Sequence, residues 1–178
     1  MQIEMSAAGA DDIDELMVID AESFTTPWHR KEMFMYAVAS GFSLAVLRCG
    51  PKRKIAGFVG LQTRERYIAI DKLCVAPEYR RRRVASHVLD TLNERLMFKN
   101  SSNRSHIRTV VRATDEIAKN LFWKCRFKTL CFYPRYWSNP DESREDGILL
   151  RYSVNEASNN VGITLIHNQT NRISNLFK

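Results

Sequence analysis

The chain has 178 residues, 44% hydrophobic and 26% charged. That is the balance of an ordinary globular domain and excludes a disordered, collagenous or disulfide-stapled chain. The length supports one domain with a sizeable core and would leave two cramped. The net charge of +7 is unevenly spread. Residues 1–24 carry seven acids (Glu4, Asp11, Asp12, Asp14, Glu15, Asp20, Glu22) and no base, so the rest carries +14. The split predicts one end that attracts cations and a remainder that attracts anions.

Apolar runs of about five to eight residues fall short of the roughly 18 to 20 that a membrane span needs. The opening MQIEMSAAGADDIDE lacks the basic and apolar regions of a secretory leader. Cys49, Cys74, Cys125 and Cys131 form no CxxC pair and read as reduced thiols of a cytoplasmic protein. No His/Cys spacing suggests zinc, so no metal is expected. His29, His87, His106 and His167 read as structural or exposed.

In chain order, residues 2–7 alternate like an edge strand. Asp11 or Asp12 caps a helix with Ile13, Leu16, Met17 and Asp20 at helical spacing. After a break at Ser23–Pro27, a second helix is predicted from Trp28 to Ala39, with Met33, Phe34, Ala37 and Val38 on one face and Gly41 beyond its end. Residues 42–49 and 55–63 read as a hairpin joined by GPKRK, and residues 67–75 as a third strand ending at Ala76-Pro77. A basic loop follows, then an amphipathic helix with Val84, Val88, Leu89, Leu92 and Leu96 on one face. Lys99–Arg104 is a polar loop and residues 106–112 a strand. Asp115 caps a helix that turns Ile117, Ala118, Leu121, Phe122 and Cys125 inward. Residues 127–133 and 147–154 make a final strand pair across a loop at Ser138–Asp146.

The order β-α-α-β-β-β-α-β-α-β-β predicts a single α/β domain of the α+β type over residues 1–154, with a mixed, mostly antiparallel sheet of six to seven strands and about four helices. Residues 155–178 read as a polar, Asn-rich tail in which Val161–Ile166 could add a short strand.

The strongest signal is LCVAPEYRRRRVASHVLDTL, where a strand runs through four arginines into a helix N-terminus. Unpaired N–H groups, the helix dipole and the arginines together suit a phosphate or pyrophosphate. Neither a Walker A loop nor a GxGxxG turn is present.

Val75-Ala76-Pro77-Glu78-Tyr79-Arg80-Arg81-Arg82-Arg83-Val84-Ala85 resembles the V-x-P-x-x-(Q/R)-x-x-G-x-(G/A) pattern of the GNAT superfamily of acetyl-CoA-dependent N-acetyltransferases. Asp115 to Phe127 resembles its N-x-x-A-x-x-x-Y-x-x-x-G-F segment, with Asp115 at the Asn position, Phe122 at the Tyr position and Arg126 at the Gly position. Three shorter matches look like ribosomal-protein alanine N-acetyltransferases and other protein N-terminal acetyltransferases: Phe24-Thr25-Thr26-Pro27-Trp28 (F-P-W), Val111-Arg112-Ala113-Thr114-Asp115 (VRxSN) and Phe132-Tyr133-Pro134 (YYP).

The resemblance implies that the co-substrate is acetyl-CoA. Its pyrophosphate would lie against Arg80, Arg81, Arg82, Arg83, Val84, Ala85 and Ser86, and its pantetheine arm against backbone groups of Leu73, Cys74 and Val75. Asp115 and Phe122 would complete the cofactor site, and Phe24, Pro27, Trp28 and Tyr133 would face the acceptor. Arg83 stands where the family has a glycine, which penalises it if that position needs positive φ. Phe122 and Val110 replace the family's usual acid and base, and neither moves a proton. Tyr133, Tyr136 and Asp71 are the substitutes, with Tyr133 and Asp71 the catalytic candidates.

An α-amine of pKa about 8 is roughly 10–20% neutral near pH 7.2, whereas a lysine amine is neutral less than about 0.1% of the time. Without a strong base, an α-amino acceptor is favoured. The expected function is therefore acetylation of a protein or peptide N-terminus, ribosomal proteins included. The alternatives are acetylation of a small polyamine or amino-sugar amine, and a catalytically degenerate CoA-binding domain. Trp123, Lys124, Arg126, Tyr133, Arg135, Tyr136 and Trp137 mix basic and aromatic types but carry no nucleic-acid-binding signature.

Overall fold

A computed structural model describes residues 3–98 and 104–154. The elements are β1 Ile3–Ala7, α1 Ile13–Ser23, α2 Arg30–Val38, β2 Phe42–Cys49, β3 Lys54–Thr63, β4 Tyr67–Val75, α3 Val84–Phe98, β5 His106–Arg112, α4 Glu116–Lys124, β6 Lys128–Ser138 and β7 Arg144–Ser153. Single 3-10 turns at Ala10–Asp12 and Pro77–Tyr79 lead toward α1 and α3. The expected α/β domain, element order, seven strands and four helices are all present. The tail and its possible strand at Val161–Ile166 lie outside the described residues.

The strands form one sheet in the order β1-β2-β3-β4-β5-β7-β6, antiparallel throughout except for β4 against β5. Alternation along β2 explains the layering. Leu44 and Val46 face a cluster with Ile13, Leu16 and Ile19 of α1 and Met33 and Tyr36 of α2. Ala45 and Leu47 face the opposite cluster, with Val84, Val88, Leu89, Leu92 and Leu96 of α3. A strand buried on both faces reads as a continuous apolar run, as FSLAVLRC does.

Three expectations need correction. The α2 stripe is Met33 and Tyr36 with Ala37 beside them, while Phe34 and Val38 are 50% and 64% exposed. This nine-residue helix mixes apolar and charged residues on every side, so its phase is set by docking on β2. On α4, Ile117 is 79% exposed, and Lys119 is buried in its place. The Lys119 ammonium donates to the Ala113 carbonyl and to Glu116.

The last hairpin is also longer than predicted. Tyr133 pairs with Gly147 and Trp137 with Glu145, so β6 carries two extra residues in a bulge. Pro134 and Arg135, the latter at φ 53°, sit in that bulge on the sheet's outer strand, where a missing N–H is tolerated.

Arg126 (φ 69°) closes α4 in the left-handed region. Phe127 N–H reaches the Phe122 carbonyl at 3.0 Å and Arg126 N–H the Trp123 carbonyl at 3.0 Å, the bonding of a Schellman cap. Arg83 has φ 64°, so this position does take the conformation that favours glycine. Arg126→Gly and Arg83→Gly should each raise stability by about 0.5–1 kcal/mol. In thermal unfolding that is about 2–4 °C per kcal/mol at this size. Unchanged or lower melting temperatures would show that the arginine side chains outweigh the backbone cost.

Candidate active site

Strands β4 and β5 pair only from Tyr67–Ala69 to His106–Arg108 and then diverge. The Thr109 hydroxyl donates to the Ile70 carbonyl at 2.9 Å at the fork. Beyond it, one edge of β4 has no partner strand. Ala76 N–H donates to the Ala56 carbonyl, so by strand alternation Cys74 bonds toward β3 while Leu73 and Val75 face the open edge. Of the three predicted pantetheine contacts, backbone geometry thus leaves Leu73 and Val75. The Cys74 thiol is buried and points at the Ile19 carbonyl, and burial pushes its pKa up to about 11.

The basic loop lies at the end of this open edge. Arg81 (φ 61°) and Arg83 are both left-handed, a turn geometry that aims successive N–H groups the same way. His87 N–H makes the helix bond to the Arg83 carbonyl at 3.0 Å, so the N–H groups of Val84, Ala85 and Ser86 lie in the unpaired first turn. Arg81, Arg82 and Arg83 are exposed around it, and no acid occupies the first turn. Arg80 is used differently: its guanidinium donates to the Val75 carbonyl at 3.0 Å and to the Ser23 hydroxyl at 2.9 Å, joining α1 to β4. A strand edge ending in an electropositive helix start fits the elongated, polyanionic acetyl-CoA. Phe122 belongs to the core cluster of Val84 and Val88, against which Leu73 and Val75 pack. The Asp115 carboxylate caps α4 through Ala118 N–H at 2.8 Å, and Phe122 is buried edge-on to Phe127.

Beside the fork is a cavity of about 300 Å³. Asp71 and Tyr133, from distant parts of the sequence, both line it, with Gln62, Arg108, Val110, Tyr136 and Trp137. The Tyr36 hydroxyl donates to Asp71 Oδ2 at 2.6 Å and accepts from Gln62 Nε2 at 3.2 Å. Burial, then the Asp71 hydrogen bond, hold the Tyr36 phenol above the usual tyrosine range, so it stays a neutral donor. Tyr133 stacks on Tyr136 with ring centroids 5.5 Å apart. Its phenol is raised by hydrogen bonding with the Cys131 thiol and then by partial burial. Gly147 lets the bulge fold inward, since a Cβ there would lie 2.8 Å from Val110 Cγ1 and 3.1 Å from Tyr136 Cβ. Tyr36, Gln62 and Arg108 escaped the sequence reading, and Trp137 entered it only as one of a mixed basic and aromatic group. For Tyr36, the i+3 spacing from Met33 was the available signal.

The predicted acceptor loop is tied down from beneath. Trp28 is half-buried, stacks on Tyr36 at 4.4 Å and lies over Gly60, where a Cβ would overlap its ring. Phe24 and Pro27 are exposed on the same connection. Under it, Lys72 donates to both Asp20 oxygens at 2.8 Å, and Asp20 Oδ2 also accepts from Trp28 N–H at 2.6 Å. The cationic-end expectation changes accordingly. Asp20 is fully buried with Lys72, and Glu4, Asp12 and Asp14 pair with Arg53, Arg48 and Arg30. Much of that acidic stretch is neutralised within the fold.

Among the described residues all four cysteines are free, and no helix is long and apolar enough to cross a membrane. No curated protein sequence matches significantly. Solved structures do resemble the chain. The ribosomal-protein-S18-alanine N-acetyltransferase of Escherichia coli is 20% identical, with a TM-score of 0.71 over 91% of this chain and 100% of that one. NAA60 of Arabidopsis thaliana in complex with acetyl-CoA is 15% identical, with a TM-score of 0.75 over 86% of this chain and 99% of that one. The spermidine/spermine N-acetyltransferase SpeG of Vibrio cholerae is 14% identical, with a TM-score of 0.71 over 89% and 96%. These likenesses establish a shared fold. The model of the acetyltransferase (GNAT) family matches residues 13–127, which include β4, the arginine loop and α4. With the forked sheet and the basic helix start, that match makes the chain a member of the GNAT family of acetyl-CoA-dependent N-acetyltransferases.

Proposed function

We propose that the protein transfers an acetyl group to the α-amine of a protein or peptide N-terminus, with residues 1–154 as the acetyltransferase domain and 155–178 as an appended tail. The observation that carries this reading is the cavity beside the β4–β5 fork, whose lining brings together a carboxylate and a phenol. Leu73 and Val75 would hold the pantetheine arm, and the first turn of α3 with Arg81, Arg82 and Arg83 the pyrophosphate. When bound, acetyl-CoA supplies the thioester carbonyl that the amine attacks.

Asp71, oriented by Tyr36, orients the incoming amine and accepts its proton at Oδ1, which no protein donor reaches among the described residues. Tyr133 delivers a proton to the departing sulfur. Its raised pKa keeps that proton available at neutral pH. A carboxylate is a weak base, which matches an α-amine of pKa about 8 better than a lysine of about 10.4. The Escherichia coli neighbour, which acetylates an alanine of ribosomal protein S18, supports a protein acceptor. SpeG keeps a polyamine in play, but the guanidinium groups of Arg64 and Arg108 in the cavity wall oppose a polycation. Free, mostly buried thiols fit a cytoplasmic setting.

The test is thiol release from acetyl-CoA with a panel of N-terminal peptides, spermidine and an amino sugar. Acetylation of at least one peptide at its α-amine, with spermidine inert, is expected. Turnover of spermidine or the sugar alone would transfer the activity to small amines. Tight CoA binding without any turnover would make this a binding domain.

A further inference from the structure

The same cavity holds more positive charge than its chemistry requires. Arg108 lies over the Tyr67 ring, its guanidinium carbon 3.1 Å from the centroid, and Tyr67 in turn stacks on His106. His106 is held below its usual pKa by burial and by Arg108 and Arg151, so it adds no competing cation at neutral pH. Arg64 adds a second guanidinium to the wall and donates to Gln62 Oε1. Neither arginine forms an ion pair among the described residues. The wall's one acid, Asp71, already accepts from Tyr36. Two donors of wall residues, Arg108 Nε and Trp137 Nε1, are buried and have no hydrogen-bond partner. Both atoms are sealed from the cavity, whereas the terminal nitrogens of Arg108 are neither sealed nor hydrogen-bonded among the described residues, so they are the donors that a ligand's acceptor oxygen can meet.

We infer that the cavity selects an amine that carries a carboxylate close by: a peptide N-terminus with Asp or Glu as its first or second residue. The amine meets Asp71, and the carboxylate meets the terminal nitrogens of Arg108, with Arg64 adding charge. A cavity of about 300 Å³ holds one or two residues of such a peptide. This inference rests on the N-terminal acetylation reading and names which N-termini that site takes.

The experiment compares peptides that begin Asp-Ala, Ala-Asp, Ala-Ala and Ala-Lys. Turnover is measured with acetyl-CoA, and peptide binding by calorimetry with the protein saturated in CoA. Both are done for wild type, Arg108→Met and the control Arg53→Met, which removes one charge from the β2–β3 turn. An acidic peptide should exceed Ala-Ala by about tenfold or more in kcat/KM and in affinity, the scale of a charge-assisted hydrogen-bonded pair. Arg108→Met should bring that ratio close to one, and Arg53→Met should preserve it. Equal binding of acidic and neutral peptides, or an unchanged ratio in Arg108→Met, overturns the inference. Selective binding of acidic peptides with no turnover sustains it while removing the acetyl-transfer reading.

Discussion

Replacing Asp20 by alanine is expected to lower stability by about 3–5 kcal/mol, the scale for removing one partner of a buried pair. Asp20 is fully buried and Lys72 is 9% exposed, so neither charge has bulk water to fall back on. Losing the carboxylate leaves the Lys72 ammonium between the Phe24 and Trp28 rings, 4.6 and 4.9 Å from their centroids. Those rings attract a cation but offer no hydrogen-bond acceptor comparable to a carboxylate. Trp28 N–H loses its partner at the same time. Lys72→Met should be comparably damaging, because it strands the carboxylate. The double variant Asp20→Asn/Lys72→Met should recover most of the loss, since an amide can still accept from Trp28 N–H and no buried charge remains. Urea melts of the four proteins test this. A loss below about 1 kcal/mol for Asp20→Ala would mean the pair behaves like a solvated surface pair.

Tyr133→Phe is expected to lower kcat by about 10²–10⁴-fold, the range for removing a positioned general acid. The substitution keeps the ring that stacks on Tyr136, so packing loss is small. The sign of the pH effect follows from the role. An acid works while protonated, and the Tyr133 phenol is raised above the usual range by the Cys131 thiol and partial burial. The rate should therefore hold at neutral pH and fall at alkaline pH as the phenol ionises, and that fall should vanish in Tyr133→Phe. Asp71→Asn should depress kcat/KM for the amine most strongly at lower pH, where more of the amine arrives protonated and must lose its proton. Steady-state thiol release across pH reads both. Wild-type rates in Tyr133→Phe would remove the phenol from the chemistry and leave the leaving sulfur to water.

Where local chemistry is strong, expectation and structure agree. Pro77 and the four arginines separate β4 from α3 at the expected place, because a strand cannot continue its ladder through proline and the heptad-like apolar stripe from Val84 begins just beyond. Asp115 caps α4 as its residue type suggests. Where a short element has no dominant face, local pattern misleads. Tyr36, and with it the support for Asp71, was overlooked because the mixed α2 sequence does not reveal which side meets the sheet.

By itself the sequence determined the element order and the strand-to-helix junction at the four arginines, and it nominated Asp71 and Tyr133 as catalytic candidates. These rest on periodicity, capping and turn chemistry, all decided within a few residues, and on family motifs of similar length. Only the tertiary structure decided that β7 inserts between β5 and β6, that β4 and β5 part after three pairs, and that the β6 bulge folds Tyr136 against Gly147. It also decided that two of the four acids of α1 are ion-paired and that Arg64 and Arg108, without ion pairs among the described residues, line the cavity beside the fork. The reason is physical. Strand partners, ion pairs and orphaned donors are relations between residues tens of positions apart, set by how faces pack, and no local window of sequence contains both partners.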